Sequence, residues 1–422
     1  MGHYSHKRLP PWETAVVTVK RQFPSWSSIK PMLGWSWPTL KRRDRGLERA
    51  LTVADLRDLS AKRVPRSVFD YVEGGALQEL SIKRSKETFE RVEFRARVLT
   101  GVAKVDLSTT ILGKPTSMPI IFAPTGYTRM MHYRGEYAVA SSATKSDLIY
   151  SLSTMGTVSP EDLVAATPEG RKWFQLYLWQ NRDQSRDFIQ QAKRAGFEAL
   201  VLTVDTPVSG QRLRDTRNGL TVPPKITTKT FLNMATKPKW WANMLTTPPL
   251  EFAAMRGYDR SLFELAQLIF DPTATMKDIP WLQKEWGGPL IVKGIQTVED
   301  ALALKKLGVQ GIVLSNHGGR QMDRGTVPLE ILPEVRAAVG KSMEIYIDGS
   351  VLNGGDVLAA VALGANAVLV GRPYLYGLMA AGEAGVDRMS DIFRLEMDNT
   401  MTLLGVGRMS ELGPEHVRLR NH

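Results

Sequence analysis

One short stretch of the chain places a base, two glycines and a cation side by side. Residues 315–321 read Ser-Asn-His-Gly-Gly-Arg-Gln and follow the apolar run Gly311–Leu314. Histidine is readily tuned as a base near neutral pH, and arginine binds a carboxylate through two parallel hydrogen bonds. His317 and Arg320 therefore suit a substrate that is both an acid and a proton donor. Taken alone, such a motif is more often a surface histidine in a glycine turn, so the rest of the chain must decide.

Length and composition restrict the possible classes of protein. The 422 residues are enough for one large α/β barrel or for two or three smaller domains. The chain has no cysteine, which excludes disulfides, thiolate metal sites and cysteine-bound iron–sulfur clusters, and no metal site is predicted. No run approaches the roughly 18 apolar residues that would span a bilayer.

The positive charge is concentrated at the start of the chain. The formal charge is +12, and residues 1–50 supply +7 of it, from ten Lys or Arg against Glu13, Asp44 and Glu48. The same residues include four tryptophans, a combination that suits an anionic membrane surface or an arm packed on a neighbouring subunit. We expect a basic extension at 1–45 and a main domain at 46–422. Nucleic acid is not expected as a partner, because the charge lies in a tail without a recognition motif.

Short β-rich runs recur from residue 119 onward, with helical patterns between most of them. Eight strands alternating with helices predict a (β/α)₈ TIM barrel at about 101–408, preceded by a helical segment. A doubly wound sheet is the alternative, but its G-x-G-x-x-G fingerprint is absent. The predicted strands are Pro119–Thr125, Leu148–Thr154, Lys172–Leu178, Ala199–Thr206, Pro289–Gly294, Gly311–Asn316, Glu344–Asp348 and Ala367–Arg372.

A long insertion at about 208–288 follows the fourth predicted strand. Connections of this length in a compact barrel are usually functional. The insertion contains Lys-Pro-Lys-Trp-Trp at 237–241. This motif suits either a segment at a membrane or partner interface, or a lid whose tryptophans pack over the barrel.

Polar residues stand at the carboxyl end of every predicted strand, where barrel enzymes carry out their chemistry. Glycine-rich loops after the last two strands, with Arg372, form a candidate phosphate site. Lys293 is predicted to point inward, where a buried ammonium needs an anionic partner, and a flavin that becomes anionic on reduction would supply one.

Several motifs together resemble the FMN-dependent α-hydroxy-acid oxidase/dehydrogenase family, in particular its bacterial L-lactate dehydrogenase branch. The resemblance runs from about Ala54 to Arg418. Its motifs are Phe-Gln-Leu-Tyr at 174–177, Leu-Thr-Val-Asp-Thr-Pro at 202–207, Val-Lys-Gly at 292–294, Ser-Asn-His-Gly-Gly-Arg-Gln at 315–321 and Gly-Arg-Pro at 371–373.

The resemblance implies a role for each matching residue. His317 would be the active-site base, with Asp205 as its carboxylate partner. Arg320 and Arg212 would clamp the substrate carboxylate, and Tyr177 would supply a catalytic, substrate-side hydroxyl. The residues implied to bind FMN are Thr125, Gly126, Ser153, Gln175, Thr203, Lys293, Ser315, Asp348, Gly349, Gly371 and Arg372.

Three departures from the family pattern bear on the substrate and the phosphate. Phe69 stands where many members have a tyrosine, which predicts one lost hydrogen bond to the substrate carboxylate. Leu352 stands where many have an arginine, which leaves Arg372 and backbone amides to hold the phosphate. Met155 replaces an aromatic residue of the substrate pocket found in glycolate oxidase.

The resemblance implies FMN-dependent oxidation of a small L-2-hydroxy acid, foremost L-lactate, to the 2-oxo acid. Electrons would pass to quinone or another acceptor. Alternatives are an oxygen-using oxidase of glycolate or mandelate type, an FMN barrel of another reaction type such as an isomerase, and a non-catalytic barrel that binds phosphorylated ligands. We expect a homotetramer in the cytoplasm, with the inner face of the cell membrane as a peripheral docking surface.

Overall fold

The computed structural model of the protein describes residues 25–30, 44–219, 235–253 and 270–420. The chain divides into two compact units, Met1–Arg42 and Arg43–His422. In the first unit the described residues form helix α1, Trp26–Ile29, and the Trp26 side chain is exposed. Trp12, Trp35 and Trp37 of the predicted extension lie outside the described residues.

Eight parallel strands of the second unit close into a barrel, and the last strand pairs with the first. The predicted (β/α)₈ barrel is therefore confirmed, and each observed strand lies within or close to a predicted run. Apolar runs predict these strands because a parallel strand is buried on both faces, so that successive residues are apolar. The barrel strands are β4 Ile120–Phe122, β5 Ile149–Ser153, β6 Lys172–Tyr177, β7 Ala199–Thr203, β8 Leu290–Ile295, β9 Gly311–Leu314, β10 Glu344–Ile347 and β11 Ala367–Val370.

Four short strands lie outside the barrel. Strands β1 and β12 pair with each other, and β2 and β3 form a hairpin. Their bounds are β1 Val92–Phe94, β2 Thr109–Ile111, β3 Lys114–Thr116 and β12 Val417–Leu419.

The helices of the second unit precede the barrel, alternate with its strands and follow it. Several begin at a capping side chain, such as Thr52 of α3, whose hydroxyl accepts from the Asp55 amide while Asp55 accepts from the Thr52 amide. The described helices are α2 Asp44–Glu48, α3 Val53–Arg63, α4 Arg66–Glu73, α5 Leu80–Glu90, α6 Thr128–Met131, α7 Gly135–Lys145, α8 Pro160–Ala166, α9 Arg182–Arg194, α10 Leu213–Arg217, α11 Pro238–Leu245, α12 Asp278–Trp286, α13 Val298–Lys306, α14 Pro328–Val339, α15 Gly354–Ala362, α16 Arg372–Ala381 and α17 Glu383–Leu404. Short 3₁₀ turns form at His317–Gly319, Met409–Glu411 and Pro414–His416.

Side chains from all eight barrel strands form one buried cluster in the barrel. Trp173 of β6 and Tyr346 of β10 meet edge to face with ring centroids 5.5 Å apart, and Ile111 of β2 joins the same cluster. Each buried aliphatic side chain contributes about 1.5–3 kcal/mol to folding. Because this part of the barrel is filled, space for a ligand lies at the carboxyl ends of the strands.

The insertion between β7 and β8 is described at 208–219, 235–253 and 270–288. Trp240 of α11 donates from Nε1 to the Met130 carbonyl at 2.9 Å and packs against the core. This tryptophan is thus engaged with the barrel, as the lid interpretation predicts, while Leu245 at the end of α11 is exposed. Among the described residues, no helix is both long and apolar enough to cross a membrane.

Candidate active site

A cavity of about 970 Å³ opens at the carboxyl ends of the barrel strands. It is within the usual size range of cofactor and substrate sites. Four cationic side chains and two carboxylates line it: Arg212, Lys293, Arg320 and Arg372, with Asp215 and Asp348. This excess of positive charge among the described residues suits an anionic ligand.

His317 and Asp205 meet at the edge of this cavity. The Nδ1 atom of His317 lies 3.0 Å from Oδ1 of Asp205, whose side chain is only 3% exposed. Burial acts to raise the pKa of Asp205, but His317 and Lys293 outweigh it and hold that pKa below its usual value. A carboxylate on Nδ1 leaves the Nε2 atom of His317 for a ligand. The two side chains that the family resemblance pairs, from two separate strand ends, are thus in contact.

The backbone at His317 adopts an uncommon conformation. His317 has a φ of +58°, and its amide donates to Ser315 Oγ at 2.9 Å. The next turn is closed by the Gly319 amide, which donates to Asn316 Oδ1 at 3.0 Å. A non-glycine residue in the left-handed region costs energy and is typical of functional sites. These bonds hold the imidazole at the cavity edge.

Arg212 and Arg320 both lie against the ring of Tyr71. Their guanidinium carbons are 5.7 Å and 4.9 Å from its centroid. Arg212 donates to Asp215 at 2.7 Å, whereas Arg320 donates to the carbonyls of Tyr71 at 2.6 Å and Gly74 at 3.1 Å. Burial, with Arg212 close by, lowers the pKa of Arg320 to about 10. A bound carboxylate would relieve the repulsion between the two guanidinium groups.

Lys293 is held between acidic partners inside the barrel mouth. Its Nζ lies 2.9 Å from Asp348 Oδ2 and donates to Ser315 Oγ at 2.9 Å. Burial acts to lower the pKa of Lys293, but Asp348 and Asp205 outweigh it and raise that pKa. A charged ammonium thus faces the cavity, as a flavin that becomes anionic would require.

The predicted cofactor residues divide into two groups. Seven line the cavity: Thr125, Gly126, Lys293, Asp348, Gly349, Gly371 and Arg372. The other four are buried and are not among the residues that line this cavity: Ser153, Gln175, Thr203 and Ser315.

Polar atoms from both groups test whether a flavin fits. Ser153 donates to Gln175 Oε1 at 2.8 Å, which leaves the amide nitrogen of Gln175 free to donate. Within the described part of the chain, buried Gln175 Nε2, Thr203 Oγ1 and Asp348 Oδ1 have no hydrogen-bond partner. Buried polar atoms without partners are costly, and these three lie at the mouth of one barrel. A ligand rich in carbonyls, ring nitrogens and hydroxyls, such as FMN, would satisfy them.

The candidate phosphate end contains Arg372 and close-packed glycines. Arg372 donates from Nε to the Val72 carbonyl at 3.0 Å and from Nη2 to the Gly74 carbonyl at 3.1 Å. A Cβ at Gly318, whose φ is +62°, would lie 3.2 Å from Nη1 of Arg372, so this position favours glycine. Leu352 lines the cavity, and its amide donates to Asp356 at 2.8 Å.

The expectation drawn from Phe69 is wrong. Phe69 is buried against Tyr376, with ring centroids 6.4 Å apart, and does not line the cavity. Tyr71, two residues later on α4, lines it beside both arginines. The tyrosine that could contact a substrate carboxylate is therefore present. The other two residues that depart from the family pattern, Met155 and Leu352, both line the cavity.

Tyr177 also lines the cavity, as predicted. Burial, with Asp205 and Tyr71 nearby, raises the pKa of its phenol, so Tyr177 is a neutral hydrogen-bonding group. The described residues contain no cluster of three or more His, Asp or Glu side chains that could hold a metal ion.

Comparison with known proteins gives a consistent result. Residues 60–419 match the family described as FMN-dependent dehydrogenase. The chain is 46% identical over 401 residues to a "Putative L-lactate dehydrogenase" of Mycobacterium tuberculosis, which covers 95% of this chain and 97% of that protein. It is 38% identical to glycolate oxidase 1 of Zea mays, over 86% of this chain and 95% of that one. Among solved structures, the monotopic membrane protein (S)-mandelate dehydrogenase superimposes with a TM-score of 0.84 at 34% identity, over 88% of this chain and all of that chain.

Proposed function

This chain belongs to the FMN-dependent dehydrogenase family, and we propose that it oxidises a small L-2-hydroxy acid, foremost L-lactate, to the 2-oxo acid. One observation carries the proposal: the His317–Asp205 pair opens on the same cavity as Arg212 and Arg320. A 2-hydroxy acid requires both a cationic site for its carboxylate and a base for its proton. The likeness to L-lactate dehydrogenases supports lactate as the first substrate to test.

Substrate binding is assigned to the two arginines and the two tyrosines. Arg320 and Arg212 would bind the carboxylate, where two charged hydrogen bonds give both affinity and orientation. Tyr71 and Tyr177 line the same space and would donate their phenolic protons to substrate oxygens. Holding the acid in one orientation replaces a bimolecular encounter by a positioned reaction.

His317 is assigned as the base and Asp205 as the residue that stabilises its protonated form. Oxidation of a 2-hydroxy acid removes two electrons and two protons. Nε2 of His317 would take one proton, and the imidazolium that forms would be held by the buried carboxylate 3.0 Å from Nδ1. The same base serves whether the hydrogen on carbon leaves as a proton or as a hydride.

FMN, when bound, supplies the two-electron acceptor. We assign its binding to the predicted set, with Lys293 and Asp348 at the barrel mouth and Arg372 at the phosphate. The unpartnered polar atoms of Gln175 and Thr203 support the assignment. The charged ammonium of Lys293 would stabilise the negative charge of the flavin when the flavin is reduced.

The test is a panel of acids presented to the FMN-loaded protein without oxygen. L-lactate, glycolate, L-2-hydroxybutanoate and (S)-mandelate are mixed with the protein, and loss of the visible flavin absorbance is followed. The proposal requires bleaching by at least one of these acids and formation of its 2-oxo acid. A colourless protein that binds phosphorylated ligands instead would support a non-catalytic barrel, and a flavoprotein inert to every acid would support a barrel of another reaction type.

We further propose that quinone at an anionic membrane surface accepts the electrons, with molecular oxygen as the competing acceptor. The +7 charge of residues 1–50 and the likeness to a monotopic membrane protein support this. Residues 1–45 would then be a docking extension and residues 46–422 the catalytic domain. The alternative role of the extension is to pack on a neighbouring subunit of a homotetramer. No spanning helix is needed for such docking.

The acceptor and the docking surface are tested with the full chain. Reduced enzyme is mixed with a soluble quinone or with oxygen, and the two reoxidation rates are compared. Co-sedimentation with anionic and neutral vesicles is measured at low and high salt, because each basic residue at an anionic surface contributes about 1 kcal/mol, which salt screens. Faster reoxidation by oxygen would favour an oxidase, and equal binding to neutral vesicles would contradict electrostatic docking.

A further inference from the structure

Two hydrogen bonds tie the 235–253 stretch of the insertion to α6. In addition to the bond from Trp240 to the Met130 carbonyl, buried Arg129 donates from Nη2 to the Pro248 carbonyl at 2.7 Å. Met131, which follows Met130 in α6, lines the active-site cavity. The insertion is thus attached one residue from the cavity wall.

A second contact lies at the end of the same stretch. Phe252 is only 2% exposed, and its ring lies 4.7 Å from that of Tyr127 at an angle of 56°. The amide of Ala253 donates to the Gly156 carbonyl at 3.0 Å. Phe252 and Ala253 therefore rest on the two loops that follow β4 and β5.

These two loops form one side of the cavity. Gly126 and Met155 line it, and the amide of Tyr127 donates to the Met155 carbonyl at 3.0 Å. A Cβ at Gly126 would lie 2.9 Å from Cβ of Met155, so the two loops are packed without spare room. A shift of Tyr127 would consequently move Met155.

The loop that follows β5 is also held by helix α7. Glu136 of α7 is fully buried and accepts from both the amide and the hydroxyl of Thr157, each at 2.6 Å. The turn that carries Met155 is thus held between Glu136 on one side and the insertion on the other.

We propose that Phe252 is a specificity-determining residue: it holds Tyr127 and the Met155 turn in place and so sets the size of the side chain that the cavity admits. The inference rests on the proposed function, because it concerns which 2-hydroxy acids that cavity accepts. Phe252 touches no reacting atom in this account and acts through Tyr127 as a positioning residue. Removing its ring lets the Gly126–Met155 wall recede.

The test is Phe252→Ala in the full-length, FMN-loaded protein. The ratio of kcat/KM for (S)-mandelate to that for L-lactate is expected to rise roughly tenfold or more, since one methylene of pocket space already changes discrimination by about that factor. The change is expected in KM, with kcat for lactate altered little, because His317 and Asp205 are untouched. The affinities of the oxidised enzyme for the 2-oxo-acid products phenylglyoxylate and pyruvate, read from FMN absorbance changes, should shift in the same ratio.

Two further variants keep the test decisive. Phe188→Ala is the matched control: Phe188 is fully buried against Trp179, with ring centroids 5.2 Å apart, and does not line the cavity. It should lower stability without changing the ratio. Trp240→Phe keeps an aromatic ring and removes the hydrogen bond that ties the same stretch to Met130, beside cavity-lining Met131. A shift in the same direction, smaller than that of Phe252→Ala, is therefore expected even if Phe252→Ala does not fold.

An unchanged ratio in folded Phe252→Ala overturns the inference, as does an equal change in Phe188→Ala. If Phe252→Ala does not fold, an unchanged ratio in Trp240→Phe overturns it. Failure of the proposed function is distinguishable from this, because wild-type protein would then oxidise no acid of the series.

Discussion

Replacing Asp205 by asparagine tests the charge pair at the centre of the site. The carboxylate lies 3.0 Å from Nδ1 of His317 and is almost fully buried, so little water can substitute for it. Two opposite charges about 4 Å apart attract by about 4 kcal/mol at an effective dielectric constant near 20. Only the protonated imidazole gains this attraction, so the loss falls on the step in which His317 takes the proton. At about 1.4 kcal/mol per tenfold, we expect FMN reduction to slow by about 10²–10³-fold.

The assay is rapid anaerobic mixing of Asp205→Asn with L-lactate, followed by flavin absorbance in a single turnover. FMN content and oxalate affinity are measured on the same samples, because Asp205 also acts on Lys293. Asp271→Asn is the matched control, since Asp271 is a buried carboxylate 2.7 Å from Arg182 and does not line the cavity. A loss of less than tenfold in Asp205→Asn, or a similar loss in Asp271→Asn, would refute the reasoning.

Three further outcomes are expected. Arg320→Met should weaken oxalate binding at least tenfold with FMN retained, because a charged hydrogen bond is worth about 1.5–3 kcal/mol; loss of FMN with unchanged oxalate affinity would move Arg320 to the cofactor site. Tyr71→Phe should raise KM for L-lactate about tenfold while keeping the ring on which both arginines pack. Phe69→Leu should leave KM unchanged. A raised KM in Phe69→Leu but not in Tyr71→Phe would show that position 69, and not Tyr71, contacts the substrate carboxylate. Burial acts to raise the pKa of Glu73, but hydrogen bonds from Arg57 and Tyr376 outweigh burial and lower that pKa. The stability that ionised Glu73 contributes is therefore present above about pH 4.5 and is lost as the pH falls below that value. Glu73→Gln should flatten the decline of Tm on acidification, and an unchanged decline would exclude that contribution.

The barrel could be predicted because it depends on local patterns and one topological rule. Parallel strands that are buried on both faces appear in the sequence as apolar runs, and in a barrel their carboxyl ends meet on one face. That rule placed Asp205 and His317, 112 residues apart in sequence, on the same face. Their pairing was implied by the family resemblance and not by the rule. The insertion could be located in the same way, as the one connection too long for a barrel loop.

Other features depended on the orientation of side chains, which the sequence does not determine. Phe69 and Tyr71 are two positions apart on α4 and so point to different sides of the helix. Which of them faces the cavity depends on how α4 packs. The contact between Trp240 and Met130 spans 110 residues and follows no strand rule, so the attachment of the insertion could not be predicted. The pairing of Lys293 with Asp348 likewise depends on how β8 and β10 are each aligned with β9, the strand between them.

The most direct test of the central claim compares wild-type and His317→Gln protein, both loaded with FMN and mixed anaerobically with L-lactate. We expect the wild-type flavin to bleach with formation of stoichiometric pyruvate. The variant should bind FMN normally but bleach at least about 10²-fold more slowly, the usual loss when a general base is removed. Bleaching of the variant at the wild-type rate would show that His317 is not the base.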